Sequence, residues 1–345
     1  MACEWLAFEL TDRCQLACQH CLRDPQLKPK DLSLDVIRRV LHDARRLFRS
    51  NHVALTGGEP TLHPHFIDVV DAAIDEGLTW HMVTNGATFP RTLPLLQARP
   101  LRIQQLTAVS LSLDGADEAT HDAIRAPGSF RAVMTAASLC SALKLPFVFN
   151  VTLHAKNMHQ LEATGLLAAE LGAQKVSYVM HCATGAPSDP SLFLSSREWR
   201  SVMDRIDRIA TVLKLPVSVP EGYYRESLMH TCVAFSGNQI HVDVEGRVNL
   251  CCQHAGVPVD GDRRDIAGDL RNISLPEAVE RVLGMGHRFQ VEKLRALARG
   301  DIGSEWDHFP CNYCMKVLGK PYWSDEGSSG PPALRERKKS LPIVG

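Results

Sequence analysis

Short apolar runs alternate with amphipathic stretches of helical period over the first 215 or so residues, and this alternation restricts the chain to an α/β fold on a parallel sheet. The runs lie at 5–11, 52–56, 78–84, 106–113, 146–153 and 174–180, and each reads as a strand. Between them the spacing predicts helices over 33–48, 64–76, 90–97, 129–143 and 157–171, with a sixth over 196–213. Ser33 is expected to cap the first, which turns Ile37, Val40 and Leu41 to one face. Six parallel strands with covering helices form an open, curved barrel, a partial TIM-like (β/α)6 arrangement. Closing it would need two more βα units, and the sequence after residue 215 does not supply them.

From Pro216 the character changes. Extended pieces at 239–242 and 247–250 flank the turn DVEGR, a hairpin in which Gly246 takes the special backbone angle. A long helix over 275–298 and the segment PCNYC follow. Apolar residues are sparse here, so a bound metal is expected to help hold the region together. The division reads as a barrel domain over 1–215, a smaller α+β domain over 216–320 and a peripheral tail over 321–345. The RERKK run in that tail reads as a solvated end.

Basic and acidic residues nearly balance, 38 against 39, which disfavours a nucleic-acid partner because phosphate-binding proteins carry a basic excess. No signal peptide or bilayer-length apolar run is visible, so a cytoplasmic location is expected. In that setting eleven cysteines argue for reduced thiols. They group as Cys14, Cys18 and Cys21; Cys232, Cys251 and Cys252; and Cys311 with Cys314.

Cys14, Cys18 and Cys21 follow the first strand directly, and three thiolates in so short a loop can hold one face of an iron–sulfur cubane while leaving one iron free. A structural zinc site with His20 as fourth ligand is the competing reading. Gly57 and Gly58 close the second strand and let backbone approach a ligand, Glu59 can accept from an ammonium, and Pro60 fixes the exit. Polar groups at other strand ends face the same mouth: Asn85, Ser112, Asp114 and Asn150.

The segments TDRCQLACQHC and LTGGEP resemble the signature loop and GGE motif of the radical S-adenosylmethionine (SAM) superfamily. The resemblance implies a [4Fe–4S] cluster on Cys14, Cys18 and Cys21, with SAM chelating the free iron through its amino and carboxylate groups. Reduction then splits SAM into methionine and a 5′-deoxyadenosyl radical that abstracts a substrate hydrogen. It also implies that Gly57, Gly58 and Glu59 meet the methionine amino end, with His20, where an aromatic residue is usual, packing beside the adenine. Ser112 and Arg125 lie in a stretch, 112–130, similar to one that contacts SAM in such enzymes; Asn85 and Asn150 complete the expected cofactor set.

Cys232, Cys251, Cys311 and Cys314 suit a fully ligated tetrahedral site, for which spacing alone leaves zinc and an iron–sulfur cluster open. The arrangement resembles the twitch module, a short form of the SPASM module, which implies one auxiliary [4Fe–4S] cluster. Gly-x4-Cys spacing selects Cys251 over Cys252. Cys182 and Cys252 are then candidate hydrogen-donor thiols, Asp114 a candidate catalytic carboxylate, and Cys140 and His121 structural residues. Tyr223, Tyr224 and Arg225 line a substrate gap or pack between domains. The expected chemistry is modification of a C–H bond in a ribosomally made peptide by crosslinking, oxidation or epimerisation. A dehydrogenase or epimerase of a sugar or aminocyclitol, and a non-catalytic iron–sulfur scaffold, are the alternatives. The first strand begins by residue 5, so a leader-recognition domain is not expected ahead of it. Electrons are expected from a flavodoxin or ferredoxin.

Overall fold

The computed structural model describes residues 3–23, 28–182, 189–254, 265–320, 322–324 and 327–329. Strands β1 (Trp5–Thr11), β2 (His52–Gly57), β3 (Thr79–Thr84), β4 (Leu106–Ser112), β5 (Phe147–Leu153) and β6 (Lys175–Met180) pair in chain order, all parallel. Their inner apolar residues are fully buried, among them Phe8, Leu55, Met82, Leu111 and Phe149. Parallel neighbours place every strand's C-terminal end on one rim, which collects the loops after β1 to β6 there.

Helices α1 (Leu34–Asp43), α2 (Phe66–Asp75), α3 (Phe89–Gln97), α4 (Pro100–Gln104), α5 (Glu118–Ile124), α6 (Ser129–Ala142), α7 (Leu161–Glu170) and α8 (Ser196–Leu213) connect or flank these strands. In α1 Val36, Ile37, Val40 and Leu41 are buried, the expected stripe. Ser33 occupies its N-cap position, but its hydroxyl makes no capping bond. A full capping box, Ser195 with Glu198, starts α8 where the periodicity places it. The short helices α4 and α5 fall in stretches read as loops; five and seven residues are too few for periodicity to register.

The sheet does not end with β6. A two-residue strand β7 (Val217–Ser218) pairs parallel with β6, and β8 (Gln239–Val242) pairs parallel with β1. Antiparallel β9 (Arg247–Asn249) and β10 (Ile266–Asp269) extend the β8 edge, giving the order β10-β9-β8-β1-β2-β3-β4-β5-β6-β7. The barrel is therefore partial and open, with its sheet continued by the hairpin expected at 239–250. That turn forms as read: Gly246 has φ 78°, and Asp243 Oδ1 accepts from the backbone N–H of Glu245 and Arg247 at 2.9 and 3.0 Å.

Helix α9 (Leu275–Arg299) starts at Ser274, whose hydroxyl accepts from Glu277 N–H at 3.3 Å, and stops at Gly300 with φ 74°. Helix α10 (Pro310–Val317) carries Cys311 and Cys314. The ribbon β11 (Tyr322–Ser324) and β12 (Gly327–Ser329) follows. The RERKK run lies outside the described residues. No helix among the described residues is long and apolar enough to cross a membrane.

Candidate functional site

A cavity of about 500 Å³ opens on the C-terminal rim of the barrel. Cys14, Cys18, Cys21 and His20 line it, as do Cys182 and Cys252. Its walls also carry Gly57, Gly58, Asn85, Ser112, Arg125, Thr152 and His181.

The cysteine loop is docked by the GGE turn. Thr11 O accepts from Gly58 N–H at 2.6 Å, and Arg13 O accepts from Glu59 N–H at 2.7 Å. A Cβ on Gly57, which has φ 127°, would stand 2.6 Å from Thr11 O, and one on Gly58 would stand 2.3 Å from Arg13 O. The glycines are thus required first by the backbone of the loop that carries Cys14, in addition to lining the cavity. Glu59 is fully buried and does not line it: its carboxyl accepts from the Thr61 and Thr84 hydroxyls at 2.7 and 2.9 Å and from Asn85 N–H at 2.9 Å. Burial raises its pKa against those bonds. Glu59 therefore fixes the turns after β2 and β3, and Asn85, so placed, donates to Cys14 Sγ at 3.7 Å.

Asp114, fully buried, organises the opposite wall. Its Oδ1 accepts from Thr152 N–H at 2.9 Å; its Oδ2 lies 2.6 Å from His20 Nε2 and accepts from Arg125 Nε at 2.5 Å. Burial alone would raise its pKa, but the Arg125 and His20 side chains hold it well below the usual carboxylate range. Both oxygens are engaged and Asp114 has no place in the cavity wall, so its geometry suits positioning its neighbours more than the catalytic role that the sequence suggested. It aims Arg125, whose guanidinium lies 4.0 Å from Cys18 Sγ, and His20, whose ring faces His154 at 5.9 Å and His181 at 6.5 Å. Burial pushes the Cys18 thiol up to about 12, with Arg125 acting in the opposite sense, so a metal bound there must displace a proton. His121 is structural, accepting from Asp114 N–H at 3.1 Å.

The second thiol set converges as its spacing suggests. Cys232, Cys251, Cys311 and Cys314, from three places in the chain, line one pocket with Phe289 and Lys293. Cys252 is absent from that pocket and lines the larger cavity instead. Among the described residues no three His, Cys, Asp or Glu side chains close on one point as a single metal ion requires. Four thiols around one shared pocket fit the donor set of a cubane, whose corner irons stand apart. The walls of the two cavities come close at sulfur, Cys182 beside Cys311 and Cys252 beside Cys251, while the Cys182 thiol itself donates to Met180 O at 3.6 Å. Gly222 packs against this junction, where a Cβ would stand 2.8 Å from Cys311 Sγ.

Two other expected residues land differently. Asn150 pairs with Ser112 in register but does not line the cavity. Tyr223, Tyr224 and Arg225 do not line it either; Tyr223 donates to Tyr178 O at 3.0 Å, and Tyr224 stacks on His308 at 5.1 Å. Cys140 is core. Sequence reasoning missed Glu9, which lines the cavity beside Cys252 and whose carboxyl is pushed well up by burial and by Asp243. It also missed the buried imidazoles His154 and His181, which burial holds neutral. A glutamate inside an apolar strand, and histidines at the ends of β5 and β6, were the signals available.

Residues 8–168 match the profile of the Radical SAM superfamily. The chain is similar to the mycofactocin maturase MftC of Mycolicibacterium smegmatis, 30% identical over 213 residues that make up 60% of this chain and 53% of the relative. It is also similar to the PqqA peptide cyclase of a Methylobacterium species, 29% identical with 74% and 68% covered. The AdoMet-dependent heme synthase of Methanosarcina barkeri is 26% identical, with 70% and 68% covered. The chain thus spans about half to two thirds of these relatives' lengths. In fold it matches Streptococcus suis SuiB bound to precursor peptide SuiA, with TM-score 0.62, 12% identity, and 82% and 66% of the two chains covered. It matches anSMEcpe with bound AdoMet at TM-score 0.60 and 17% identity, with 83% and 81% covered. With its cysteine loop, its GGE turn and its open parallel barrel, residues 8–168 of this chain form a domain of the radical SAM superfamily.

Proposed function

We propose that this enzyme modifies a C–H bond of a ribosomally made peptide held between two iron–sulfur clusters. One [4Fe–4S] cluster sits on Cys14, Cys18 and Cys21 and a second, auxiliary one on Cys232, Cys251, Cys311 and Cys314. One observation carries the reading: a single cavity is lined by the first thiol set and by two further thiols, each close to a member of the second set. The first cluster, with SAM bound, supplies a carbon-centred radical that takes a hydrogen atom from the substrate. The protein's own part is positional. Asp114 fixes Arg125 and His20 beside the first thiol set, Glu59 fixes Asn85, and Ser112 borders the space left for SAM. Cys182 and Cys252 face the substrate side, and an S–H there can return a hydrogen atom to a substrate carbon, leaving a thiyl radical. That placement supports epimerisation over net oxidation. The names of the relatives, a maturase and a peptide cyclase beside a heme synthase, and the fold shared with SuiB bound to its precursor peptide, support a peptide ahead of a small sugar. Electrons come, in this reading, from a flavodoxin or ferredoxin.

The test is anaerobic turnover with SAM, a reductant and a candidate precursor peptide in D₂O. Deoxyadenosine and a peptide carrying one deuterium at a carbon, lost in the Cys182→Ala or Cys252→Ala variant with iron retained, support the reading. A product lighter by two hydrogens with no deuterium would replace epimerisation by oxidation or crosslinking. No deoxyadenosine from reduced, iron-loaded protein and SAM would contradict the catalytic reading itself.

A further inference from the structure

Lys293 has no place in the machinery described so far. It lies on α9, is 2% exposed, and lines the pocket shared by Cys232, Cys251, Cys311 and Cys314. Its Nζ lies 4.7 Å from the ring centroid of Tyr313, the residue just before Cys314. Among the described residues no carboxylate lies within ion-pair distance of it. The acid that acts on it, Asp307, has one oxygen held by Gly303 N–H, Ser304 N–H and the Ser304 hydroxyl at 3.0, 2.9 and 2.7 Å.

The helix is built to deliver this side chain. Residues 286, 289 and 293 fall on one helical face. Gly286 lets α9 approach the turn after Cys232, where a Cβ would stand 2.6 Å from Phe235 O. Phe289 then stacks on Phe235 at 4.3 Å and meets Tyr313 edge-on at 5.8 Å. One turn further, Lys293 reaches the pocket that Cys314 also lines, its Nζ over the ring of Tyr313. A buried ammonium without a carboxylate is costly, and an apolar side chain at this helix position would fill the same space at no such cost. The neighbour that removes the cost is a net-negative group on the four sulfurs. Thiolates on a cubane carry that charge, and one electron more when the cluster is reduced.

We infer that Lys293 is a positioning residue for the auxiliary cluster, its buried charge stabilising the reduced state and so raising the cluster's reduction potential. The inference rests on the auxiliary-cluster reading above. The couple it acts on moves one electron and no proton.

The experiment is an EPR-monitored redox titration of the anaerobic holoenzyme, reading the signal that SAM leaves unperturbed, with iron and sulfide counted in each sample. Lys293→Met should keep its iron and move that midpoint to more negative potential, while Lys293→Arg stays near the native value. An unchanged midpoint in fully loaded Lys293→Met would overturn the inference. Should Lys293→Met and Lys293→Gln lose the second cluster, retention in Lys293→Arg supports the charge assignment, and equal loss in Lys293→Arg overturns it. Iron near four rather than about eight per native chain would instead sink the auxiliary cluster itself, and with it this role.

Discussion

Replacing Asp114 by Asn tests whether that carboxylate organises the barrel mouth. Asparagine fits the same space and keeps an acceptor for Thr152 N–H, now 2.9 Å from Oδ1. Its amide donors, however, then face the donors of Arg125 and, in its protonated form, His20, both now held by Oδ2. The guanidinium of Arg125 is 9% exposed, so removing its partner strands a buried cation. Stranding one member of a buried pair costs about 3–5 kcal/mol. At about 2 °C per kcal/mol, the thermal midpoint should fall by roughly 6–10 °C. The double variant Asp114→Asn/Arg125→Met leaves no stranded charge and should recover at least half of that loss. The assay is anaerobic thermal unfolding of the two variants beside the native protein, with iron counted before each run. A single variant as stable as the native protein, or a double variant less stable than the single, would refute the assignment.

Gly58→Ala should detach the first cysteine loop, because the added methyl would lie 2.3 Å from Arg13 O, a backbone atom; iron falling by about half, with far-UV circular dichroism unchanged, is the expected readout. Stability should decline as pH falls below about 6.5. Burial pushes His121, His154 and His241 down to about 4, so unfolded imidazoles bind protons across that interval while folded ones do not; urea midpoints at about pH 7.5 and about pH 5 check it, and equal midpoints would count against buried neutral imidazoles. Cys251→Ser should lose auxiliary iron while Cys252→Ser retains it, and the reverse would exchange their roles.

Most of the barrel was legible because its signals are strong: six apolar runs and six long amphipathic segments, each bounded within a few residues of the elements formed. What sequence could not supply was pairing beyond the repeat. Nothing in QIHV says that it pairs with Trp5–Phe8 of β1, and VS over 217–218 is too short to register. The cysteine sets stood out because thiolate spacing constrains ligation directly, and the choice of Cys251 over Cys252 rested on Gly246, five residues before Cys251. Asp114 and Glu59 were found as residues but their bonding partners were not, since a carboxylate facing a ligand and one bonded to its own fold look alike in sequence. Glu9, His154 and Lys293 needed the fold, because only burial makes an ordinary charged or titratable residue informative.

The account depends most on a site-differentiated cluster on Cys14, Cys18 and Cys21 that SAM reaches through the cavity. The direct measurement is the EPR spectrum of reduced, anaerobically reconstituted protein before and after SAM, in the native chain and in Cys18→Ala. One signal should change on SAM addition in the native protein and be absent from Cys18→Ala, leaving the second signal in place. A spectrum indifferent to both SAM and the loss of Cys18 would contradict it.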